Sequence, residues 1–224
     1  MASAPDMSTV EWRVSPGLTD YEAAVAAMEA RAAAIREGTA PELIWLVEHP
    51  PLITAGTSAP PEELIAPDLF PVFKSGRGGR HTYHGPGQRV GYVLLDLEQR
   101  GRDVRRFVEA LEGWLIATLG RIGIAARTAE GRIGIWVDDL DGQEAKIGAI
   151  GIRVRRWVTF HGFAINIAPA LHHFGAIVPC GLPDFPVASV ESLGLKADIG
   201  RFDAALTAEF PHFLSSLAAS AVDS

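Results

Sequence analysis

The sequence predicts an α+β domain, on three observations. Helical and strand-like segments alternate without the strict βαβ rhythm of a doubly wound sheet. Two long stretches combine helical apolar spacing with capping residues. A pair of apolar runs flanks an Asp-Gly step, the signal of a hairpin. With 224 residues, 48% of them hydrophobic, the chain can bury a sizeable core, and one domain over residues 1–224 is expected for that length. The elements follow in order. Thr19-Asp20-Tyr21-Glu22 has the spacing of a capping box headed by Thr19. It predicts a helix over residues 21–37 with Val25, Met28, Ala32 and Ile35 on its apolar stripe and Gly38 at its C-terminal cap. The aliphatic run 42–48, stopped by His49-Pro50-Pro51, reads as a buried strand, and 90–96 as another. Asp103 caps a second helix over 104–122, with Phe107, Leu111, Trp114, Leu115 and Leu119 on one face. Strands over 133–137 and 144–154 enclose the turn at Asp141-Gly142, and 157–167 continues the meander. A last helix over 200–217 is expected to break near Pro211.

Charge and cysteine usage narrow the function. Twenty Lys and Arg against 27 Asp and Glu give a net charge of −7, which argues against a general nucleic-acid coat. One cysteine leaves no intrachain disulfide and a free thiol. The first residues, with Asp6 and Glu11 and no continuous apolar run, do not resemble a signal peptide, and no stretch has the roughly 18 apolar residues of a membrane span. A cytoplasmic protein is expected.

The chemistry concentrates in three places. Residues 77–88 read R-G-G-R-H-T-Y-H-G-P-G-Q, a loop whose Gly78, Gly79, Gly85 and Gly87 allow close backbone approach to a ligand and whose Pro86 stiffens the turn. It is neither a Walker loop nor a dinucleotide fingerprint, since an apparent strand rather than a helix follows it. Cys180 stands between Pro179 and Gly181. A lone cysteine is more often a small core residue than a nucleophile, but this Pro- and Gly-rich setting fits a presented side chain. Lys146 lies in Ala145-Lys146-Ile147-Gly148, either as a solvent-facing edge lysine or beside a space left by Gly148 on the same strand face. His84 and His161 read as proton-handling groups near a site or as satisfied structural histidines. His81, His172 and His173 add no metal-ligand spacing, so no metal is expected.

At these residues the chain resembles the octanoyltransferases of lipoate biosynthesis, the lipoyl(octanoyl) transferases. The likeness rests on the loop 77–88, on Glu48-His49-Pro50-Pro51 with Thr54 and Gly56, on K-I-G-A-I-G-I-R at 146–153, on H-G-F-A-I-N at 161–166 and on P-C-G at 179–181. It covers most of residues 42–192. The resemblance implies a fold like the catalytic domains of lipoate and biotin protein ligases, with a mixed main sheet, a smaller second sheet and surrounding helices. It also implies transfer of octanoyl from octanoyl-acyl carrier protein to a lysine of lipoyl domains, those of 2-oxoacid dehydrogenase complexes and the glycine cleavage H protein, with no cofactor. By carry-over, Cys180 forms the acyl thioester and Lys146 lowers its pKa and shuttles protons. Arg77, Gly78, Gly79, Arg80, His81, Thr82, Tyr83, His84, Ala149, Ile150, Gly151, Gly162, Phe163 and Ala164 then line the acyl substrate.

Such a mechanism carries further expectations. Oxyanion donors should come from backbone N–H groups near 78–79 or 149–151. Acidic protein partners need basic patches, for which Arg100, Arg102, Arg105 and Arg106, or Arg153, Arg155 and Arg156, are the candidates. The rivals are an ATP-dependent lipoate or biotin ligase, for which the cysteine is dispensable, a non-enzymatic module that binds carrier domains, and a cysteine hydrolase, which leaves the lysine unexplained.

Overall fold

The computed structural model describes residues 10–178 and 185–218. Its main sheet has seven strands: β1 (Val10–Leu18), β2 (Glu42–Glu48), β6 (Gln88–Leu94), β10 (Val158–Asn166), β9 (Glu144–Arg155), β8 (Arg132–Asp138) and β7 (Arg127–Ala129), in that spatial order. β1 runs parallel to β2 and every other neighbouring pair is antiparallel, so the sheet is mixed. A second sheet of three strands is ordered β4 (Val72–Lys74), β3 (Leu52–Ala55), β5 (His81–His84). The helices are α1 (Tyr21–Arg36), α2 (Val104–Arg121) and α3 (Ile199–Ala218).

Both faces of the main sheet are covered, which explains why β2 reads as a continuous apolar run. Successive side chains of a strand point to opposite faces. Leu43, Trp45 and Val47 pack with Met28, Ala32 and Ile35 of α1. Ile44 and Leu46 belong to the other layer, with Phe107, Leu111 and Leu115 of α2 and Phe210 and Phe213 of α3. In that layer Trp114 of α2 stacks on Phe213 of α3 at 4.6 Å and donates from Nε1 to the Leu206 carbonyl at 2.9 Å. Arg89 of β6 grips Asp203 of α3 through two hydrogen bonds of 2.9 and 2.7 Å.

Several expectations need correction. The cap of α1 is Asp20, whose Oδ1 accepts from Ala23 N at 2.8 Å, not Thr19, whose amide donates to the Glu48 carbonyl. Pro211 does not interrupt α3: the helix continues to Ala218 because Phe210 before it and Phe213, Leu214 and Leu217 after it are all buried on one stripe. The stretch 77–88 is not wholly loop, since residues 81–84 form β5. β1, β3, β4 and β7 lie outside the sequence expectation; β4 and β7 are three residues each, too short to show a period. Among the described residues no helix is long and apolar enough to cross a membrane.

Candidate active site

A cavity of about 460 Å³ opens between the small sheet, β6, β9, β10 and the first turn of α1, within the range of small-molecule sites. All but one of the expected substrate residues border it: Arg77, Gly78, Gly79, Arg80, His81, Thr82 and His84 from one side, Ala149, Ile150, Gly151, Gly162, Phe163 and Ala164 from the other. Tyr83 is the exception. Alternation along β5 turns its ring into a separate core with Phe70 and Phe174, and its hydroxyl meets His173 Nδ1 at 2.8 Å.

The loop is shaped by one buried cation. Arg77 donates to the Thr54 carbonyl at 2.9 Å, to Thr54 Oγ1 at 2.7 Å, to the Arg80 carbonyl at 3.0 Å and to the Gly78 carbonyl at 2.9 Å. A guanidinium with several fixed donors suits such a knot. Gly79, at φ +90, lets the chain turn around it. The Gly78 amide donates to the Ile152 carbonyl at 3.0 Å, which ties the loop to β9 and removes that amide from the expected oxyanion donors.

Polar groups beside the cavity form two hydrogen-bonded sets. His49 bridges the Thr19 carbonyl and the Tyr92 hydroxyl, each at 2.6 Å. His84 Nδ1 lies 2.7 Å from Gln88 Oε1, an acceptor, so that nitrogen carries the proton. Gln88 Nε2 donates to Asn166 Oδ1 at 2.9 Å and Asn166 Nδ2 to the Ala188 carbonyl at 3.0 Å. Burial, with His49 second, pushes His84 down to about 3, and burial followed by the Arg77 and Arg153 cations pushes His161 down to about 4. Both imidazoles are therefore neutral at physiological pH. His161 also adopts φ +62, unusual for a non-glycine residue, where β10 bends along the cavity wall.

Lys146 also lines this cavity, and with Thr82, Gln88 and Asn166 it borders a small adjoining one. Its Nζ donates to the Ile133 carbonyl at 2.8 Å and lies 5.3 Å from the centre of the Trp136 ring. The room around it comes from Gly134, not Gly148: a Cβ on Gly134 would lie 2.5 Å from Lys146 Cε, whereas one on Gly148 would meet Ile165 and Ile135. An irregularity in the β8–β9 pairing between Ile135 and Trp136 displaces the expected alternation. The Lys146 backbone brackets the segment that follows Cys180, donating to the Pro186 carbonyl and accepting from the Ala188 amide, both at 2.9 Å. On the other side Val178 donates to the Glu63 carbonyl at 2.8 Å. Cys180 itself lies outside the described residues.

The central strands tolerate no added bulk beside the cavity. A Cβ on Gly162 would strike the Gly91 carbonyl oxygen of the adjoining strand, and backbone cannot swing aside. Gly162→Ala is expected to cost about 3 kcal/mol of stability, at the upper end for overpacking. Urea denaturation checks this, and an unchanged midpoint would contradict the packing described. Of the basic clusters, Arg100 is held by Glu42 at 2.6 Å, Arg102 pairs with Glu98 and Arg105 with Glu109, so that group is largely neutralised. Arg153 lies over the Phe160 ring, and Arg155 and Arg156 are exposed beyond it. Tyr21, Thr54, Tyr92 and Ile133 also border the cavity, outside the sequence expectation. Thr54 stands in the motif 48–56 that carries the resemblance, whereas no local pattern marks Tyr21, Tyr92 and Ile133, which meet only through tertiary packing.

This mixed sheet, with a smaller partner sheet and a cavity of about 460 Å³ at their junction, has the fold of the catalytic domains of lipoate and biotin protein ligases. The family model for the lipoyl protein ligase A/B catalytic domain matches residues 20–211. A solved bipartite lipoate protein ligase from Thermoplasma acidophilum, described with its E2 lipoyl domain, superposes with TM-score 0.67 at 18% identity, over 92% of this chain and 84% of that one. A lipoate-protein ligase A bound with ATP does so with TM-score 0.69 at 20% identity, over 92% and 86%. At such identities the likeness is one of fold. An octanoyltransferase of Rhizorhabdus wittichii is 65% identical over 208 residues, 93% of each chain. The chain belongs to the lipoyl protein ligase A/B catalytic domain family and, within it, to the octanoyltransferases, which are acyltransferases.

Proposed function

We propose that this protein moves an octanoyl group from octanoyl-acyl carrier protein to a lysine of lipoyl domains through a thioester on Cys180. The observation that carries the reading is the placement of Lys146 on the wall of a cavity of about 460 Å³, with its own backbone stitched to the segment that follows Cys180. In the first step the Cys180 thiolate attacks the donor's thioester carbon, and the carrier thiol departs with a proton from Lys146. In the second, the neutral Lys146 amine takes a proton from the incoming lysine, whose nitrogen displaces Cys180 and forms an amide. The ammonium favours the thiolate by Coulomb attraction. The donor is already a thioester, so neither step needs ATP.

The tail fits the apolar side of the cavity, where Val90, Ile150, Phe163 and Ala164 line the wall. Burying six methylenes at about 0.8 kcal/mol each contributes roughly 5 kcal/mol. One methylene more or less discriminates weakly, so neighbouring chain lengths should be accepted. The lipoyl-domain acceptor is supported by the fold shared with a ligase described with its E2 lipoyl domain. Arg155 and Arg156 are the exposed cations best placed to meet an acidic partner.

Intact-mass measurement after mixing with octanoyl-acyl carrier protein tests the scheme. Wild-type protein should gain one octanoyl group, removable by hydroxylamine, and Cys180→Ser should gain none. An unmodified wild type that nonetheless incorporates free octanoate with ATP would place the protein with the ligases instead.

A further inference from the structure

Glu112 is the one carboxylate on the inward stripe of α2, next to Leu111 and Leu115, and it is only 9% exposed. A buried acid on an apolar face needs a partner to offset its desolvation. Its Oε1 accepts from the Gly134 amide at 3.1 Å. That amide belongs to the peptide whose carbonyl, on Ile133, accepts from Lys146 Nζ at 2.8 Å. A carboxylate and an ammonium thus bind the two ends of one peptide group, each polarising it toward the other. Gly134 is fitted to this arrangement: it stands at φ +127, which side-chain-bearing residues rarely adopt, and a Cβ there would press on Lys146 Cε and Nζ.

We propose that Glu112 is a positioning residue of this site, which acts through the Ile133–Gly134 peptide to hold the Lys146 ammonium in place. The inference rests on the lysine role proposed above. Among the described residues, the other charges facing the pair are Glu109, one turn earlier on α2 and engaged with Arg105, and on β8 and β9 the ion pair of Arg132 with Glu144. Burial raises Glu112's affinity for protons, Glu109 adds to that, and the Gly134 amide and the Lys146 charge oppose it. Lys146 is therefore the cation that Glu112 senses.

The test compares wild type, Glu112→Gln, Glu112→Ala and Lys146→Ala by the rate of octanoyl adduct formation across pH. In the first three, the pH midpoint of Lys146 acetylation by acetic anhydride is also read by peptide mass spectrometry. Glutamine keeps an oxygen for the Gly134 amide but loses the charge. Its rate should fall about tenfold and the midpoint should move down by about one pH unit. Alanine loses both and should fall on the order of 10²-fold through misplacement of the amine. A glutamine variant matching wild type in rate and midpoint overturns the proposal, and so does one that fails to fold while Lys146→Ala folds, since Glu112 then serves stability alone. If Lys146→Ala forms the adduct at the wild-type rate, the lysine's catalytic role falls, while the acetylation midpoint still decides for or against Glu112.

Discussion

Lys146→Ala is expected to slow single-turnover adduct formation by about 10³-fold, in the middle of the range for a lost acid-base group, while the fold survives. The backbone of residue 146 keeps its bonds to Pro186 and Ala188, and the lost bond from the Nζ ammonium to the Ile133 carbonyl contributes about 2 kcal/mol. Lys146→Arg separates the two roles. A guanidinium stays charged and so can stabilise a thiolate, but it does not deprotonate an incoming amine. The arginine variant should therefore form the octanoyl adduct faster than the alanine variant yet fail to pass the group to a lipoyl domain. Rapid-quench kinetics on each half-reaction measure this. Full transfer activity in either variant would remove Lys146 from the mechanism.

The second large effect is on stability in mild acid. His84 and His161 sit at about 3 and about 4 in the folded chain against an ordinary 6.5. Between those values the unfolded chain takes up protons that the folded one refuses. Stability is therefore undiminished above pH 6.5 and declines as pH falls from there toward 4 and 3. From pH 7.5 to 5.0 the two imidazoles together account for about 4 kcal/mol, a large share of a domain's stability. Asp203 and Glu112, both raised by burial, take up protons sooner in the folded chain and offset part of this loss. Urea titrations at the two pH values read the difference. His161→Asn, which tolerates the left-handed backbone and does not titrate here, should reduce the pH dependence by about half. Equal stability at both pH values would mean that the histidines are not buried as described.

Much of this molecule is legible in its sequence. The run at Leu43 to Val47 announces itself as a continuous apolar strand buried on both faces and that at Phe107 to Leu119 by its helical period, and Asp103 caps its helix as its position suggests. The cap at Asp20 is easily misplaced by one residue because threonine and aspartate are both good caps and stand side by side. The Gly- and His-rich motif marks the cavity wall, but its glycines hide a strand whose side chains alternate, which is why Tyr83 faces away from the cavity its neighbours line. The least legible feature is the space around Lys146. An irregular strand pairing hands to Gly134 the role that simple alternation gives to Gly148, and a helix distant in sequence supplies Glu112. Such contacts arise from packing between elements and leave no local period to read.

The central claim is that the Cys180 sulfur and the Lys146 amine converge beside this cavity with the acyl tail inside it. A crystal structure of the octanoylated protein tests it most directly. Expected is a thioester on Cys180 whose carbonyl carbon lies within reach of Lys146 Nζ and whose alkyl chain lies inside the cavity along Val90 and Ala164. An acyl group attached elsewhere, or a tail lying outside the cavity with the amine turned away from the sulfur, would contradict it.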